Sequence, residues 1–279
     1  MRAPDELRAL VEESLSELRL DPTLGALEEP IRYALGGGGK RIRPVLCLAV
    51  CEAAGTSAES AVEPATALEL VHTFSLVHDD LPALDDDDLR RGQPSSHVRF
   101  GEGVAILAGD ALLTEAFRLA LAYPSPEPAR ELAAATLGMI GGQYVDVTTD
   151  GDLDGEGLVR LHELKTGRFL RASVTCATAV AGLSPAEREP WAAFGAEVGL
   201  LFQIVDDILD ATGTASELGK TPGKDEAAGK VTYVSLHGLE SARELADAAR
   251  ARVNERLSEL PVDTTVIAEL VETIRDRRR

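Results

Sequence analysis

The residues best suited to chemistry stand in two acidic clusters. The first runs Asp79-Asp80-Leu81-Pro82-Ala83-Leu84-Asp85-Asp86-Asp87-Asp88 and leads into Leu89-Arg90-Arg91-Gly92; the second is Asp206-Asp207-Ile208-Leu209-Asp210. Asp206 and Asp210 are four apart, which stacks them on one helix face where like charges repel. They sit near the C-terminal end of an apolar helix, the end that disfavours negative charge. A solvated acidic patch is the plain alternative, but a bound cation accounts for the pair better. In the first cluster a straight helix would not align Asp79 with Asp85, so a bulge at Leu81-Pro82 is needed to bring Asp85 back under Asp79. Asp86, Asp87 and Asp88 are expected to be mostly solvated. Oxygen clusters of this kind suit Mg2+, a hard cation held by one or two carboxylates plus phosphate oxygens and water. The chain reads as built to grip a diphosphate through metal.

A third constellation is basic: Gly36-Gly37-Gly38-Gly39-Lys40-Arg41-Ile42-Arg43-Pro44. Glycines let backbone approach a ligand, and Lys40 and Arg43 bring charge to a helix start, where anions are favoured. A nucleoside-triphosphate loop is excluded, because the Gly-Lys-Ser/Thr ending and the preceding strand are missing. Arg90 and Arg91 are either salt-bridged to the neighbouring aspartates or offer planar forks to phosphate oxygens. His72 is a core histidine by default; two helical turns before Asp79, it lies near the same face.

These groups must be positioned by helices. Leu7, Leu10, Val11, Leu15 and Leu18 keep a helical spacing. Further helices are expected over 28–35, 45–54, 58–80, 103–122, 127–147, 156–181, 185–211, 230–259 and 263–277, with no strand. About ten such segments make an all-α chain, read as one domain over 1–279. Residues 212–229, rich in glycine, read as a long loop. Hydrophobic residues make up 44% of the 279, enough for a substantial core. No stretch is apolar enough to span a membrane, and the N-terminus does not read as a secretory signal. Cys47, Cys51 and Cys176 cannot all pair, and Cys47 and Cys51 read as small buried residues of a reduced, cytoplasmic protein. The net charge of −19 makes nucleic acid an unsuitable partner.

Taken in order, Gly38-Gly39-Lys40-Arg41-Ile42-Arg43-Pro44, His72, Asp79 to Asp85, Leu89-Arg90-Arg91-Gly92, Gly109-Asp110, Lys165-Thr166, Phe202-Gln203, Asp206 to Asp210 and Gly219-Lys220 make the chain resemble the trans-isoprenyl diphosphate synthases (polyprenyl synthetases), the bacterial farnesyl diphosphate synthases above all. The resemblance runs from about residue 25 to 240. It implies an all-helical bundle around a deep central cavity, usually as a homodimer. It implies that Asp79, Asp85, Asp206 and Asp210 hold about three Mg2+ on an allylic diphosphate. Arg90, Lys165, Gln203, Lys220 and Lys230 would contact that substrate directly. Lys40, Arg43, His72 and Arg91 would hold isopentenyl diphosphate without metal. The Lys165 and Thr166 carbonyls and the Gln203 amide oxygen would flank an allylic cation. Two subsites, one metal-mediated and one basic, resolve how so acidic a chain takes anionic substrates. Phe74 lies about 7.5 Å below Asp79 along a helix axis. It would floor the cavity beside the small Ser75, which favours a C15 product over C20. Other readings are a terpene cyclase, against which Lys40, Arg43 and the second Asp cluster argue, and a silent subunit of a heteromeric synthase. The tail Arg275-Asp276-Arg277-Arg278-Arg279 would close over the site or remain a solvated end.

Overall fold

The computed structural model describes residues 1–149, 153–213 and 230–275. They are almost wholly helical. Helix α1 (Pro4–Ser16) starts on a first-turn proline and buries Leu7, Val11 and Leu15, the stripe its spacing predicts. Helix α2 (Glu28–Gly36) runs into the glycine loop, and α3 (Ile42–Ala53) leaves it with Pro44 in its first turn. Helix α4 (Val62–Asp79) is apolar nearly all round and is buried accordingly, from Ala65 through Val77. It is preceded by a short 3-10 turn over Ala58–Ala61.

Around α4 pack α3, α6 (Glu102–Ala122) and α9 (Arg168–Val180). Helix α9 is buried almost throughout. Helices α7 (Glu127–Thr148) and α10 (Pro185–Thr212) lie against α9 on either side. The short helices α5 (Ser96–Phe100), α8 (Gly155–His162) and α11 (Tyr233–His237), then α12 (Leu239–Glu259) and α13 (Thr265–Arg275), complete the described bundle.

Several sequence expectations are corrected. A short antiparallel pair, β1 (Leu89–Arg90) with β2 (Gln93–Pro94), stands where no strand was expected. Its turn holds Arg91 and Gly92, both with positive φ, as a two-residue hairpin requires. The expected helix 156–181 is interrupted by a π segment, Glu163–Gly167. The expected helix 230–259 breaks at Gly238, whose φ of 80° ends α11 before α12 begins. Asp87, expected in solvent, is buried. Helix α10 reaches Thr212, one residue into the expected loop; positions 214–229, with Lys220, and 276–279 of the basic tail lie outside the described residues. No described helix is long and apolar enough to cross a membrane. Cys47, Cys51 and Cys176 are buried thiols, and burial pushes that of Cys51 up to about 12.

Candidate active site

A cavity of about 1020 Å³ opens between α3, α4, α6, α7, the π segment and α10. Of the residues singled out from sequence, Lys40, Arg43, His72, Phe74, Ser75, Asp79, Arg90, Arg91, Lys165, Thr166, Gln203 and Asp206 line it. Asp85, Asp210 and Lys230 lie outside its immediate wall.

The expected bulge after α4 is present. The Asp85 N–H donates to the Asp79 carbonyl at 2.9 Å, and Asp87 N–H to the Asp80 carbonyl at 3.1 Å. The chain thus folds back onto the end of α4 and returns Asp85 beneath Asp79. Burial, the largest effect, raises the Asp79 carboxyl to about 6; Lys165 and Arg90 oppose the rise, and Asp85 and Asp80 add to it. Such a group gains from a cation close by. Among the described residues, no group of three or more acidic, histidine or cysteine side chains forms a ready-made metal cage. The acidic ends of α4 and α10 instead border one cavity, so ligand oxygens would have to complete any coordination. That donor set, oxygen only and sparse, fits Mg2+.

Of the two arginines, Arg90 takes the salt-bridge alternative, whereas Arg91 bonds to the glycine loop. Arg90 donates to the buried Asp80 through Nε (3.0 Å) and Nη2, lies 3.4 Å from Asp87, and still borders the cavity. Arg91 donates to the Gly38 carbonyl. Gly39 has a φ of 141°, which side chains rarely adopt, and a Cβ there would also lie 3.0 Å from the Arg91 guanidinium. Arg43 reaches His72 at 3.4 Å and sits over the Phe202 ring at 5.3 Å.

Lys165 and Thr166 stand in the π segment, where the register change is common at functional sites. Two glycines hold that segment from opposite sides. A Cβ on Gly142 of α7 would lie 2.5 Å from the Lys165 nitrogen, and one on Gly199 of α10 would lie 2.7 Å from the Gly167 Cα. Gln203 donates its amide NH2 to Asp207 at 2.9 Å, while Asp207 accepts the Tyr233 N–H at 2.8 Å. A carboxylate can take only the NH2 end, which orients the Gln203 amide and leaves its oxygen for another partner.

Several site residues escaped the sequence reading. Asp146 accepts Lys165 Nζ at 2.6 Å and Lys230 Nζ at 3.5 Å, and Lys230 also reaches Asp85 at 2.9 Å. Lysine charge lowers the Asp146 carboxyl despite its burial. Gln143 borders the cavity, with both polar atoms of its amide buried. The only sequence signal was an isolated carboxylate closing an apolar helix, which does not identify its partners. Asp207, read as part of a metal motif, acts here as the support of Gln203.

Comparison with known proteins matches residues 25–274 to the polyprenyl synthetase family model. The heterodimeric geranylgeranyl pyrophosphate synthase large subunit 1 of Arabidopsis thaliana chloroplasts is 47% identical over 260 residues, covering 88% of this chain and 70% of that one. The geranylgeranyl diphosphate synthase of Cyanophora paradoxa is 42% identical over 85% of this chain and 83% of its own. Among solved structures, a Helicobacter pylori geranyltransferase complexed with magnesium and isoprenyl diphosphate superposes with a TM-score of 0.84 at 31% identity, covering 98% of this chain and 95% of that one. With its all-helical fold and ordered motifs, the chain belongs to the polyprenyl synthetase family and is a trans-prenyl diphosphate synthase.

Proposed function

We propose that this enzyme condenses isopentenyl diphosphate with dimethylallyl and geranyl diphosphates and stops at farnesyl diphosphate, C15. The observation that carries the reading is that Asp79, which ends α4, and Asp206, near the end of α10, border the same cavity as Lys40, Arg43 and Arg91. Asp79, Asp85, Asp206 and Asp210 would hold about three Mg2+, which supply positive charge to the allylic diphosphate when bound. The Helicobacter relative's magnesium and isoprenyl diphosphate support this assignment.

The chain's own groups would do the rest. Arg90, Lys165 and Lys230 add charge to the leaving diphosphate. Lys220 would join them. The Gln203 amide oxygen and the carbonyls of Lys165 and Thr166 flank the allylic cation, and Phe169, Phe202 and Met139 keep water from it. Lys40, Arg43, His72 and Arg91 hold the acceptor's diphosphate so that its double bond meets the cation, and the proton then lost leaves with the departing diphosphate.

Product length would rest on Phe74, which lines the cavity with Ser75 and whose ring packs edge-on against His78 at 4.8 Å. A C20 product is the second reading, favoured by the names of the Arabidopsis and Cyanophora relatives. Incubation with Mg2+, isopentenyl diphosphate and each of the C5, C10 and C15 allylic diphosphates, followed by chromatographic sizing, tests both. A C15 end point supports the first reading; elongation of farnesyl diphosphate to C20 replaces it with the second. No condensation from any primer removes both. We further read the enzyme as a cytoplasmic homodimer of one domain; the chloroplast location of relatives leaves compartment to imaging of the tagged protein.

A further inference from the structure

Three cations occur within four residues at Lys40, Arg41 and Arg43, yet one of them is used differently. Arg41 is only 4% exposed. Its backbone takes a left-handed turn, φ 49° and ψ 36°, as the residue that caps α3. A side chain rarely adopts that conformation without compensation. The compensation is a hydrogen bond from each of the three guanidinium nitrogens. Nε donates to Glu12 at 2.9 Å, Nη1 to Glu69 at 2.6 Å and Nη2 to the Leu35 carbonyl at 2.8 Å. These partners come from α1, α4 and the end of α2, so one side chain ties the glycine loop to three helices. Arg91 secures the loop's other side at Gly38 and Gly39.

The geometry points to Arg41, gripped by Glu12 and Glu69, as the positioning residue of the metal-independent diphosphate subsite. It sets where its neighbours Lys40 and Arg43 present their charge, and it makes α1 a structural part of that subsite. This rests on the assignment of that subsite to the acceptor diphosphate under the proposed function.

A plain electrostatic role predicts the opposite sign from a positioning role. Glu12 and Glu69 are anions near an anion site, so removing either charge should tighten diphosphate binding if geometry were irrelevant. If they hold Arg41 in place, removal should weaken it.

Glu12→Gln is the informative variant, because Glu12 is 42% exposed and its loss leaves the core intact. Arg41→Lys keeps the charge but loses the fork and serves as the second variant. Isopentenyl diphosphate binding is measured calorimetrically in EDTA on the full chain, alongside steady-state kinetics with Mg2+. The expected result is about fivefold to tenfold weaker binding and a matching rise in KM for isopentenyl diphosphate. KM for the allylic substrate and kcat should stay near parental values. Binding as tight as the parent's or tighter overturns the inference, as does an equal rise in both KM values. If the parent itself takes up no isopentenyl diphosphate in EDTA, the subsite reading fails, and the inference falls with it.

Discussion

Among single residues, Asp79 carries the site's electrostatic tension. Its carboxyl is raised to about 6, chiefly by burial, against an ordinary value near 3.9. Between about pH 4 and 6 the folded protein therefore holds the proton that the unfolded chain has lost. Stability contributed by this group falls as pH rises through that window and stays low above it. In EDTA, Asp79→Asn should match the parent below pH 4 and exceed it by about 3 kcal/mol above pH 6, read by urea unfolding at each pH. A constant difference across that range would mean that Asp79 is not held away from water. Phe74 makes a second case. It is 8% exposed and borders the cavity, so Phe74→Ala would remove the proposed floor and leave a void of the kind that costs about 3–5 kcal/mol in cores. Products longer than C15 should appear with lowered stability; an unchanged product with lowered stability would make Phe74 core alone.

At the scale of elements, two neighbouring glycines of α7 give a matched test of how the π segment is held. Gly141 has nothing within 4 Å of a built Cβ, whereas Gly142 meets Lys165 backbone at 2.5 Å. Gly141→Ala should stabilise the enzyme by about 0.5–1 kcal/mol through helix propensity. Gly142→Ala should destabilise by about 1–3 kcal/mol, because backbone must move. Denaturation midpoints of opposite sign are expected, and Gly142→Ala should also lower turnover by shifting the Lys165 and Thr166 carbonyls. Two stabilising substitutions would show that α7 and the π segment do not press on each other. What sequence conveyed at this scale follows the same division. Helices with a periodic apolar stripe, such as α1, and the bulge forced by Pro82 were legible, because each depends on local spacing. The π segment was not, since Thr166 and Gly167 weaken a helix without specifying a π turn, and its register is imposed by Gly142 and Gly199 from distant helices. The Arg91-Gly92 hairpin was too short to show alternation. Asp146 was invisible for a related reason: its meaning lies in Lys165 and Lys230, distant in sequence.

Across the whole molecule, the core accounts for the buried faces but leaves one side of α7 unexplained. Leu137, Ile140, Tyr144 and Val147 fall at spacings of three and four, on one helix face, and all are exposed, Leu137 at 72% and Tyr144 at 69%. An apolar stripe of that kind is costly in water and marks an interaction surface. Ile140, Tyr144 and Val147 also border the cavity, so whatever covers the stripe seals the substrate tunnel from the side. Ile106 and Leu107 on α6 are exposed as well, which extends the apolar area. A second copy of the chain, packing α6 and α7 against their equivalents, would bury it with two-fold symmetry, as most homo-oligomers do. Leu137→Glu adds a charge at the most exposed point of the stripe. The parent should sediment as a dimer and the variant as a folded monomer, with an unchanged helical circular-dichroism spectrum. Turnover should fall as the tunnel wall opens to water. A parent that sediments as a monomer at micromolar concentration, or a variant that remains a fully active dimer, would remove this face from the assembly.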